Sequence, residues 1–315
     1  MALALKLIKP EARKLSTRKH SKKIFSLYLL LAPAIVLLLV FNYIPMYGIV
    51  IAFQDYSVFK GIAGSTWVGF KHIGYFLHDD TFWKVMRNTL IINFYDILFG
   101  FTAPIIFALL ANEIHSRSFK RVMQTISYLP HFLSWIVVSG IIYEMLSPQH
   151  GMVNDMLGMM FGTKPVFFMT EQHFYRGITV AADIWKSVGW SAILYFATIA
   201  GIDQSMYEAA MIDGASRWKQ TLYITLPMMV PMITLLLLLK ISSIFTANFD
   251  RFFLLENPLV YDVGDVISTY TYRIGLEQAQ YSLTTAIGFV QSLLGFILLI
   301  SANKLSKKLI GLGLY

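Results

Sequence analysis

The sequence contains no cysteine among its 315 residues. Without a thiol the chain can form no disulfide bond, carry no thiolate nucleophile and bind no metal ion through sulfur. The cysteine content, which often separates proteins of oxidising compartments from those of reducing ones, therefore gives no information about the compartment of this chain. Catalysis and metal binding that depend on cysteine are excluded.

Charged residues are scarce as well. Only 14% of the residues are charged, whereas 56% are apolar and 15% are aromatic, and this balance excludes an ordinary soluble domain. The formal net charge of +8 does not indicate a nucleic-acid partner, because the basic residues lie beside long hydrophobic runs and are not collected on a polar domain. The composition predicts a protein of the lipid bilayer.

Patterns for nucleotide binding and for catalysis are also missing. The sequence has no G-x-x-x-x-G-K-[ST] phosphate loop, so the chain is not expected to bind ATP itself. It has no G-x-S-x-G motif and no grouping of Ser, His and Asp that would support nucleophilic catalysis. His72, His78 and His173 lack the spacing of zinc ligands, and interfacial packing or contact with another protein explains them better.

Six apolar segments are long enough to cross a bilayer, which requires about 20 residues. They lie at residues 24–47, 88–111, 124–146, 178–201, 230–249 and 282–302. The sequence therefore predicts an all-α membrane protein with six transmembrane helices. It divides into a basic N-terminal arm (1–23), a six-span domain (24–302) and a C-terminal tail (303–315).

Lysine and arginine predict the orientation in the membrane. If the N-terminus is cytoplasmic, the inner segments hold sixteen of these residues and the longer outer loops hold seven. The positive-inside rule then places both termini in the cytoplasm, with the basic arm on the anionic inner leaflet. The first segment could instead be a cleaved signal peptide. Its apolar run is too long for one, however, and it ends in "NYIPMYG" without a small-residue cleavage site.

The predicted cytoplasmic loop at 202–229 carries the signals of a short helix. Ser205 and Glu208 have the spacing of a capping box, in which the hydroxyl and the carboxylate each accept a hydrogen bond from the other residue's backbone amide. A helix from Met206 to about Asp213 is predicted, and Gly214 is placed to end it in a left-handed conformation.

The remainder of this loop predicts a second helix. Ala209 and Ala210 add little bulk to the first helix, so another surface can approach it closely. The stretch "ASRWKQTLYITLP" predicts a second short helix, which Pro227 ends or kinks. On these residues alone, a docking site for a partner and an ordinary capped connector explain the loop equally well.

The stretch "EAAMIDGASRWKQTLYITLP" resembles the signature of permease subunits of binding-protein-dependent ABC importers, in which E-A-A-x-x-x-G is followed by L-P. The resemblance extends over nearly the whole chain. "WVGFKHIGYFLHDDTFWKVMRNTL" resembles the stretch before the second span of carbohydrate-uptake permeases. "YLPHFLSWIVVSGIIYEMLSPQHGMVN" and "NPLVYDVGDVISTYTYRIGLEQAQYSLTTAIG" resemble the oligosaccharide and polysaccharide branch, to which the permeases of alginate importers belong.

This resemblance implies the type I ABC importer permease fold, with a cytoplasmic coupling helix–turn–helix between spans 4 and 5. The coupling helix would seat in a groove of a cytoplasmic ATPase and move when two ATPases close on ATP. The residues that the resemblance assigns to this coupling role are Glu208, Ala209, Ala210, Asp213, Gly214 and Pro227.

The resemblance also implies a set of partners. Two cytoplasmic ABC ATPase subunits would bind ATP and Mg, so this chain would hold no cofactor of its own. A second, homologous permease would complete the path, and an extracytoplasmic solute-binding protein would deliver the carbohydrate. The assembly would lie among the lipids of the bacterial inner membrane and bind no nucleic acid.

Ionisable residues inside the spans are candidates for function, because each costs about 2.5–3.5 kcal/mol on insertion scales. Asp96 lies in the second span, and Lys240 and Arg251 are predicted to share one face of the fifth span. An intramembrane cation such as Lys240 would suit an anionic sugar, and aromatic residues would suit its apolar face. The predicted substrate path consists of Lys240, Asn248, Asp183, Lys186, Trp190 and Tyr195.

Ordinary structural roles are an alternative for the same residues. Asp183 and Lys186 could neutralise each other across one helical turn. Trp190 and Tyr195 could simply mark the membrane interface.

The sequence thus predicts a transport subunit that forms half of the path of an ATP-driven importer and performs no covalent chemistry. Its substrate would be an oligosaccharide or polysaccharide, acidic and alginate-like. Two alternatives belong to other classes. A secondary transporter driven by an ion gradient would need a complete path in one chain or a homodimer. A membrane-embedded enzyme would need convergent catalytic residues, which the sequence lacks.

Overall fold

The computed structural model describes residues 17–246, 248–311 and 313–314, with side chains from residue 27 onward. Most of the predicted basic arm therefore lies outside the described residues. The regular secondary structure of the described chain is helical apart from one pair of two-residue strands, β1 and β2, in which Gln54 pairs with Trp67 and Asp55 with Thr66 in antiparallel register. The all-helical prediction is confirmed.

Between Thr17 and Phe161 the elements follow in this order: α1 (Thr17–Leu38), α2 (Ile44–Met46), β1 (Gln54–Asp55), α3 (Gly61–Gly64), β2 (Thr66–Trp67), α4 (Lys71–Leu77), α5 (Asp80–Tyr95), α6 (Thr102–Asn112), α7 (Arg117–Tyr128), α8 (Trp135–Met145) and α9 (Met152–Phe161). From Gln172 onward they are α10 (Gln172–Ala200), α11 (Gln204–Ile212), α12 (Arg217–Gln220), α13 (Leu226–Ser242), α14 (Phe249–Leu255), α15 (Tyr261–Gly264), α16 (Ile267–Tyr272) and α17 (Tyr281–Ile310).

Short non-α turns join several of these helices into longer ones. The 3₁₀ turns are Tyr47–Phe53, Leu129–Phe132 and Pro258–Val260. The π-helical turns are Leu39–Tyr43, Asp96–Phe101, Thr221–Thr225 and Arg273–Glu277. Such π turns insert one extra residue into an α-helix and are frequent at functional sites.

Four continuous helical stretches of the described chain are long and apolar enough to cross a membrane: Leu27–Phe53, Asp80–Asn112, Arg217–Ser242 and Tyr281–Ile310. A fifth would be formed by Arg117–Phe132 together with Trp135–Met145, which are bent by 102° at their junction. The predicted fourth span corresponds to α10, a helix of 29 residues that carries Asp183 and Lys186 in its interior and is not one of these stretches. The count of six spans therefore stays a prediction.

The helix α10 has neighbours along most of its length. Near its C-terminal end, Ala192, Tyr195 and Ile199 pack with Ala108 of α6 and Met229 of α13 in one buried apolar cluster. A second large cluster joins α5, α16 and α17. The first span is different, because the most apolar part of Leu27–Phe53 buries no residue within the described chain. Such a surface is stable only against lipid or another protein.

The helices α7 and α10 cross closely at Gly189. A β-carbon at this position would overlap the backbone carbonyl group of Ser127. Only glycine lets the two backbones approach to this distance, as is common where membrane helices cross. This contact fixes the position of α7 and of the bend that follows it.

Replacing Gly189 with alanine should lower the temperature of thermal unfolding, followed by tryptophan fluorescence on the purified protein in detergent. The added methyl group forces α7 away from α10, and overpacking of this kind costs about 1–3 kcal/mol. Gly177→Ala in the same helix is the control, because nothing lies within 4 Å of its β-carbon. Equal unfolding temperatures for the two variants would contradict the close crossing.

Candidate substrate path and coupling loop

A cavity of about 620 Å³ opens between α10, α13 and the helix formed by the π turn Asp96–Phe101 and α6. Its wall is mostly apolar and includes four of the six predicted path residues: Asp183, Trp190 and Tyr195 of α10 and Lys240 of α13. Trp190 is 45% exposed, whereas Tyr195 is 2% exposed and belongs largely to the apolar cluster behind the wall. The structure therefore brings together an indole, a carboxylate and an ammonium group around one space.

Lys240 lies in the last turn of α13, which ends at Ser242. Among the described residues, none forms a hydrogen bond or an ion pair with the Lys240 ammonium group, and its backbone carbonyl accepts a hydrogen bond from the Ser243 hydroxyl at 3.1 Å. The C-terminal end of a helix carries partial negative charge, which stabilises a cation there. The ammonium group is thus available to a ligand in the cavity.

Asp183 is held by a buried arginine. The fully buried Arg251 guanidinium donates two hydrogen bonds to the Asp96 carboxylate, at 3.2 and 2.7 Å, and its Nη1 lies 3.3 Å from Asp183 Oδ2. The paired fork of an arginine and a carboxylate is the strongest common geometry for such a contact. One cation therefore joins the π turn after α5, the middle of α10 and the beginning of α14.

Two sequence-based expectations about these charges are wrong. Lys240 and Arg251 do not share a helical face, because α13 ends at Ser242 and α14 begins at Phe249. Asp183 and Lys186 do not pair as neighbours either. Asp183 contacts Arg251, which is distant in the sequence. The Lys186 ammonium group donates its hydrogen bonds to backbone carbonyls.

Lys186 stabilises the bend between α7 and α8. Its Nζ atom donates to the carbonyl oxygens of His131 and Leu133 at 2.7 and 2.6 Å, and the carbonyl of Pro130 lies at 3.5 Å. The Pro130 carbonyl already accepts from the Leu133 amide at 3.1 Å, whereas the bend leaves the carbonyls of His131 and Leu133 without a backbone donor, and such a carbonyl inside a membrane needs another donor. Lys186 does not line the cavity.

The same bend orients Trp190. The His131 ring stacks on the indole with a centroid distance of 4.4 Å and an interplanar angle of 1°, and the Phe132 ring meets it edge-on at 5.8 Å. His131 is not among the residues predicted for this site. The available signal was Pro130 inside an apolar run, which indicates a broken helix.

Asn248 does not line the cavity, in contrast to its predicted place in the wall. It directly precedes α14 in the left-handed conformation, with a φ of 55°. Asparagine adopts this conformation more readily than most residues. Its place is therefore the turn that leads into α14 and on to Arg251.

The three histidines of the predicted outer loops lie apart. His72 Nε2 lies 2.9 Å from the Asp55 carboxylate, and His78 Nδ1 contacts the Gly74 carbonyl at 2.7 Å. His173 lies edge-on to Phe174 in α10. Each of the three has a local structural contact.

The helix α11 of the predicted coupling loop begins differently from expectation. Asp203, and not Ser205, is its N-cap, and the Asp203 carboxylate accepts a hydrogen bond from the Ser205 backbone amide at 3.0 Å. This bond lowers the pKa of Asp203 below its usual range. The capping box of Ser205 and Glu208 is therefore wrong, because the stronger acceptor two residues earlier starts the helix first.

The C-terminal end of α11 is as predicted. Gly214 is left-handed, with a φ of 76°. The amides of Gly214 and Ala215 donate to the carbonyls of Met211 and Ala210 at 3.1 and 2.9 Å, which is the Schellman arrangement. Asp213 is the C-cap, and the side chains of Glu208 and Ala209 are exposed on the free surface of the helix.

The predicted second short helix is wrong. The helices α12 and α13 and the π turn between them form one continuous helix, Arg217–Ser242. Pro227 is the second residue of α13 and does not end the helix. The π turn Thr221–Thr225 shifts the hydrogen-bond pattern just before this proline, and the helix continues past it.

Comparison with known proteins identifies the class to which this fold belongs. Residues 100–311 match the family described as binding-protein-dependent transport system inner membrane component. The chain belongs to this family, as its sequence motifs predict. It is therefore a transport subunit of a membrane and not an enzyme.

Two relatives and one solved structure are similar to this chain over nearly its whole length. The chain is 39% identical to the polygalacturonan/rhamnogalacturonan transport system permease protein YteP of Bacillus subtilis (strain 168), over 92% of this chain and 90% of that protein. It is 40% identical to protein LplB of the same organism, over 92% and 91%. Its fold matches a chain in the crystal structure of a bacterial alginate ABC transporter in complex with an alginate pentasaccharide-bound periplasmic protein. The TM-score is 0.86 at 37% identity, and the match covers 94% of this chain and 99% of that one.

Replacing Arg251 with methionine should strongly destabilise the protein, because it leaves the buried Asp96 carboxylate and the partly buried Asp183 carboxylate without a cation. Removing one partner of a buried ion pair costs about 3–5 kcal/mol. The measurement is the thermal unfolding temperature in detergent, with Lys240→Met as the control, since Lys240 makes no ion pair with a described residue.

A second substitution tests the cause of that loss. Adding Asp96→Asn to Arg251→Met removes one of the unpaired charges and should recover part of the unfolding temperature. Equal stability of Arg251→Met and Lys240→Met, or no recovery in the double variant, would show that the buried cluster does not stabilise the fold.

Proposed function

We propose that this chain forms one half of the translocation path of an ATP-driven importer of oligosaccharides or polysaccharides. The observation that carries the proposal is the cavity between α6, α10 and α13, where the Lys240 ammonium group is available and Trp190 is exposed. Sugars bind proteins through their apolar faces on aromatic rings and through their hydroxyl groups on polar side chains. A uronate adds a carboxylate, which an ammonium group can pair.

The relatives support an acidic carbohydrate as the substrate. One is named for polygalacturonan and rhamnogalacturonan transport, and the solved structures that resemble this chain include an importer of the acidic polysaccharide alginate. Lys240 supplies the matching charge. We propose that it pairs with a carboxylate of the passing sugar while Trp190 contacts the ring, and that Tyr195 and Asp183 complete the wall.

The same proposal includes partners outside this chain. A second, homologous permease faces the cavity and closes the path, and an extracytoplasmic binding protein delivers the sugar. Two cytoplasmic ATPases bind ATP and Mg and hold α11 through its exposed surface at Glu208 and Ala209, with both termini of this chain and the coupling loop in the cytoplasm. Closure of the ATPases displaces α11, and the cavity then opens to the outside.

Replacing Lys240 with methionine should reduce the uptake of acidic oligosaccharides more than the uptake of neutral ones, by roughly fivefold or more, since it removes a charge-assisted contact. The measurement is the initial rate of uptake of oligogalacturonate and of a neutral arabino-oligosaccharide by cells that carry the complete importer. Lys60→Met, outside the cavity, is the control. Equal losses for both sugars, or none, would show that Lys240 does not select for charge.

A cysteine at Ala209 tests the contact with an ATPase, since the chain has no other cysteine. Treatment of native membranes with a bifunctional thiol reagent should link Ala209→Cys to an ATPase subunit, in a yield that ATP changes. Met159→Cys, 87% exposed on α9, should give no such product because the proposal places it on the extracytoplasmic side of the membrane. Free labelling of Ala209→Cys from the cytoplasm without an ATPase adduct would favour a secondary transporter instead.

A further inference from the structure

The π turn Thr221–Thr225 joins three parts of the predicted cytoplasmic side. Its first and last residues are threonines, which are 8% and 2% exposed. Each buried hydroxyl contacts a different element. Thr225 contacts the helix α11, and Thr221 contacts the segment that follows α6.

Among the described residues, one hydrogen bond joins the π turn to α11. The hydroxyl groups of Tyr207 and Thr225 lie 2.9 Å apart in a partly buried position. Tyr207 directly precedes Glu208, whose side chain is on the exposed surface of α11. This hydrogen bond thus attaches the side of α11 that faces the membrane helices to the long helix Arg217–Ser242.

The Thr221 hydroxyl connects the same turn to the segment that follows α6. The single proton of the Thr221 hydroxyl is shared between the Glu113 carboxylate at 3.2 Å and the Arg217 carbonyl at 3.0 Å, and Arg217 Nη1 lies 3.8 Å from the same carboxylate. Glu113 directly follows α6, which contributes Pro104 to the cavity wall. The turn is therefore anchored both to α11 and to the end of the second predicted span.

The long helix Arg217–Ser242, which contains Thr225, also forms one side of the cavity wall. It continues without interruption to Ser242, and Leu236, Leu239 and Lys240 line the cavity. Thr225 and Lys240 are separated by fifteen residues, which is a rise of about 22 Å along an α-helix. Pro227 and Pro231 lie between these two residues and lack the amide hydrogen of a helical bond, but the helix is unbroken, so a displacement at the π turn is passed to the wall along one backbone.

A short covalent connection also joins α11 to this helix. It consists of Asp213, Gly214, Ala215 and Ser216, and Gly214 is left-handed. The Gln220 side chain donates to the Ala215 carbonyl at 3.0 Å, so the part of the turn after Gly214 is fixed to the long helix. Ala215 is also bonded to α11, because its amide donates to the Ala210 carbonyl at 2.9 Å, so this connection holds the C-terminal end of α11 to the long helix. The bond between Tyr207 and Thr225 attaches the middle of α11 to the same helix.

We propose that the hydrogen bond between Tyr207 and Thr225 transmits the displacement of α11 to the cavity wall, so that Tyr207 is a positioning residue for the coupling of ATP hydrolysis to transport. The inference rests on the proposed function. It adds the specific contact through which α11, moved by an ATPase, moves the helix that carries Lys240.

The test uses the complete importer in liposomes, with Leu239→Cys as the only cysteine of this chain. Two quantities are measured: the rate of ATP hydrolysis, and the change that ATP produces in the labelling rate of Leu239→Cys by a soluble thiol reagent. Neither needs a known sugar. Tyr207→Phe and Thr225→Val each remove one hydroxyl of the bond and leave the size of the side chain nearly unchanged.

Both single variants should keep the rate of ATP hydrolysis within about twofold, whereas the ATP-dependent change in labelling should fall by about fivefold, the scale of one lost hydrogen bond. The double variant should lose no more than either single variant, because both remove the same bond. Thr225→Ser keeps the hydroxyl and should retain the change. Tyr223→Phe is the matched control, since the Tyr223 side chain is 76% exposed on the same turn.

The inference is overturned if Tyr207→Phe preserves the ATP-dependent change in labelling, or if the effects of Tyr207→Phe and Thr225→Val multiply in the double variant. A complex that carries only Leu239→Cys and neither hydrolyses ATP nor changes its labelling with ATP would contradict the proposed function itself. The two failures are therefore distinguishable.

Discussion

The fold depends on one buried cation. Arg251 is completely buried, and its guanidinium reaches carboxylates of two helices that would otherwise hold uncompensated charge inside a membrane protein. A charge in such surroundings is tolerated only when it is paired and hydrogen-bonded. This requirement fixes α14 against the π turn after α5 and against the middle of α10. As a result, Asp183 stands at the cavity wall with a fixed orientation.

A polar group also stabilises the bend at which the helices α7 and α8 are interrupted. The bend between α7 and α8 frees backbone carbonyls, and Lys186 of α10 donates to them. The bend then places His131 against Trp190. Irregular backbone inside a membrane requires such partners. Here the bend whose carbonyls accept hydrogen bonds from Lys186 also positions the aromatic wall of the cavity.

Local patterns in the sequence predict part of this arrangement. The apolar runs predict long helices, and the left-handed Gly214 follows from its position after a short helix. Asp183, Trp190 and Tyr195 share a wall because they recur on one helix, and a charge inside an apolar run also indicates Lys240. Each of these features depends on residues that are close in sequence.

Contacts between distant segments are not predictable in this way. Asp96 and Arg251 are 155 residues apart, and no local pattern pairs them. Local spacing suggests that Asp183 and Lys186 neutralise each other, but tertiary contacts supply better partners for both. The start of α11 and the continuity of the helix through Pro227 also differ from expectation. In the first case a stronger cap lies just upstream, and in the second a π turn precedes the proline.

In the proposed function, the long helix Arg217–Ser242 has two roles. Its π turn makes the coupling contact, and its other end places the Lys240 cation at the cavity. The most direct measurement is sugar uptake into liposomes that contain this chain, its second permease and its ATPases, with oligogalacturonate and the binding protein supplied outside. The account predicts uptake that requires both ATP and the binding protein. Uptake driven by an ion gradient without ATP would contradict it.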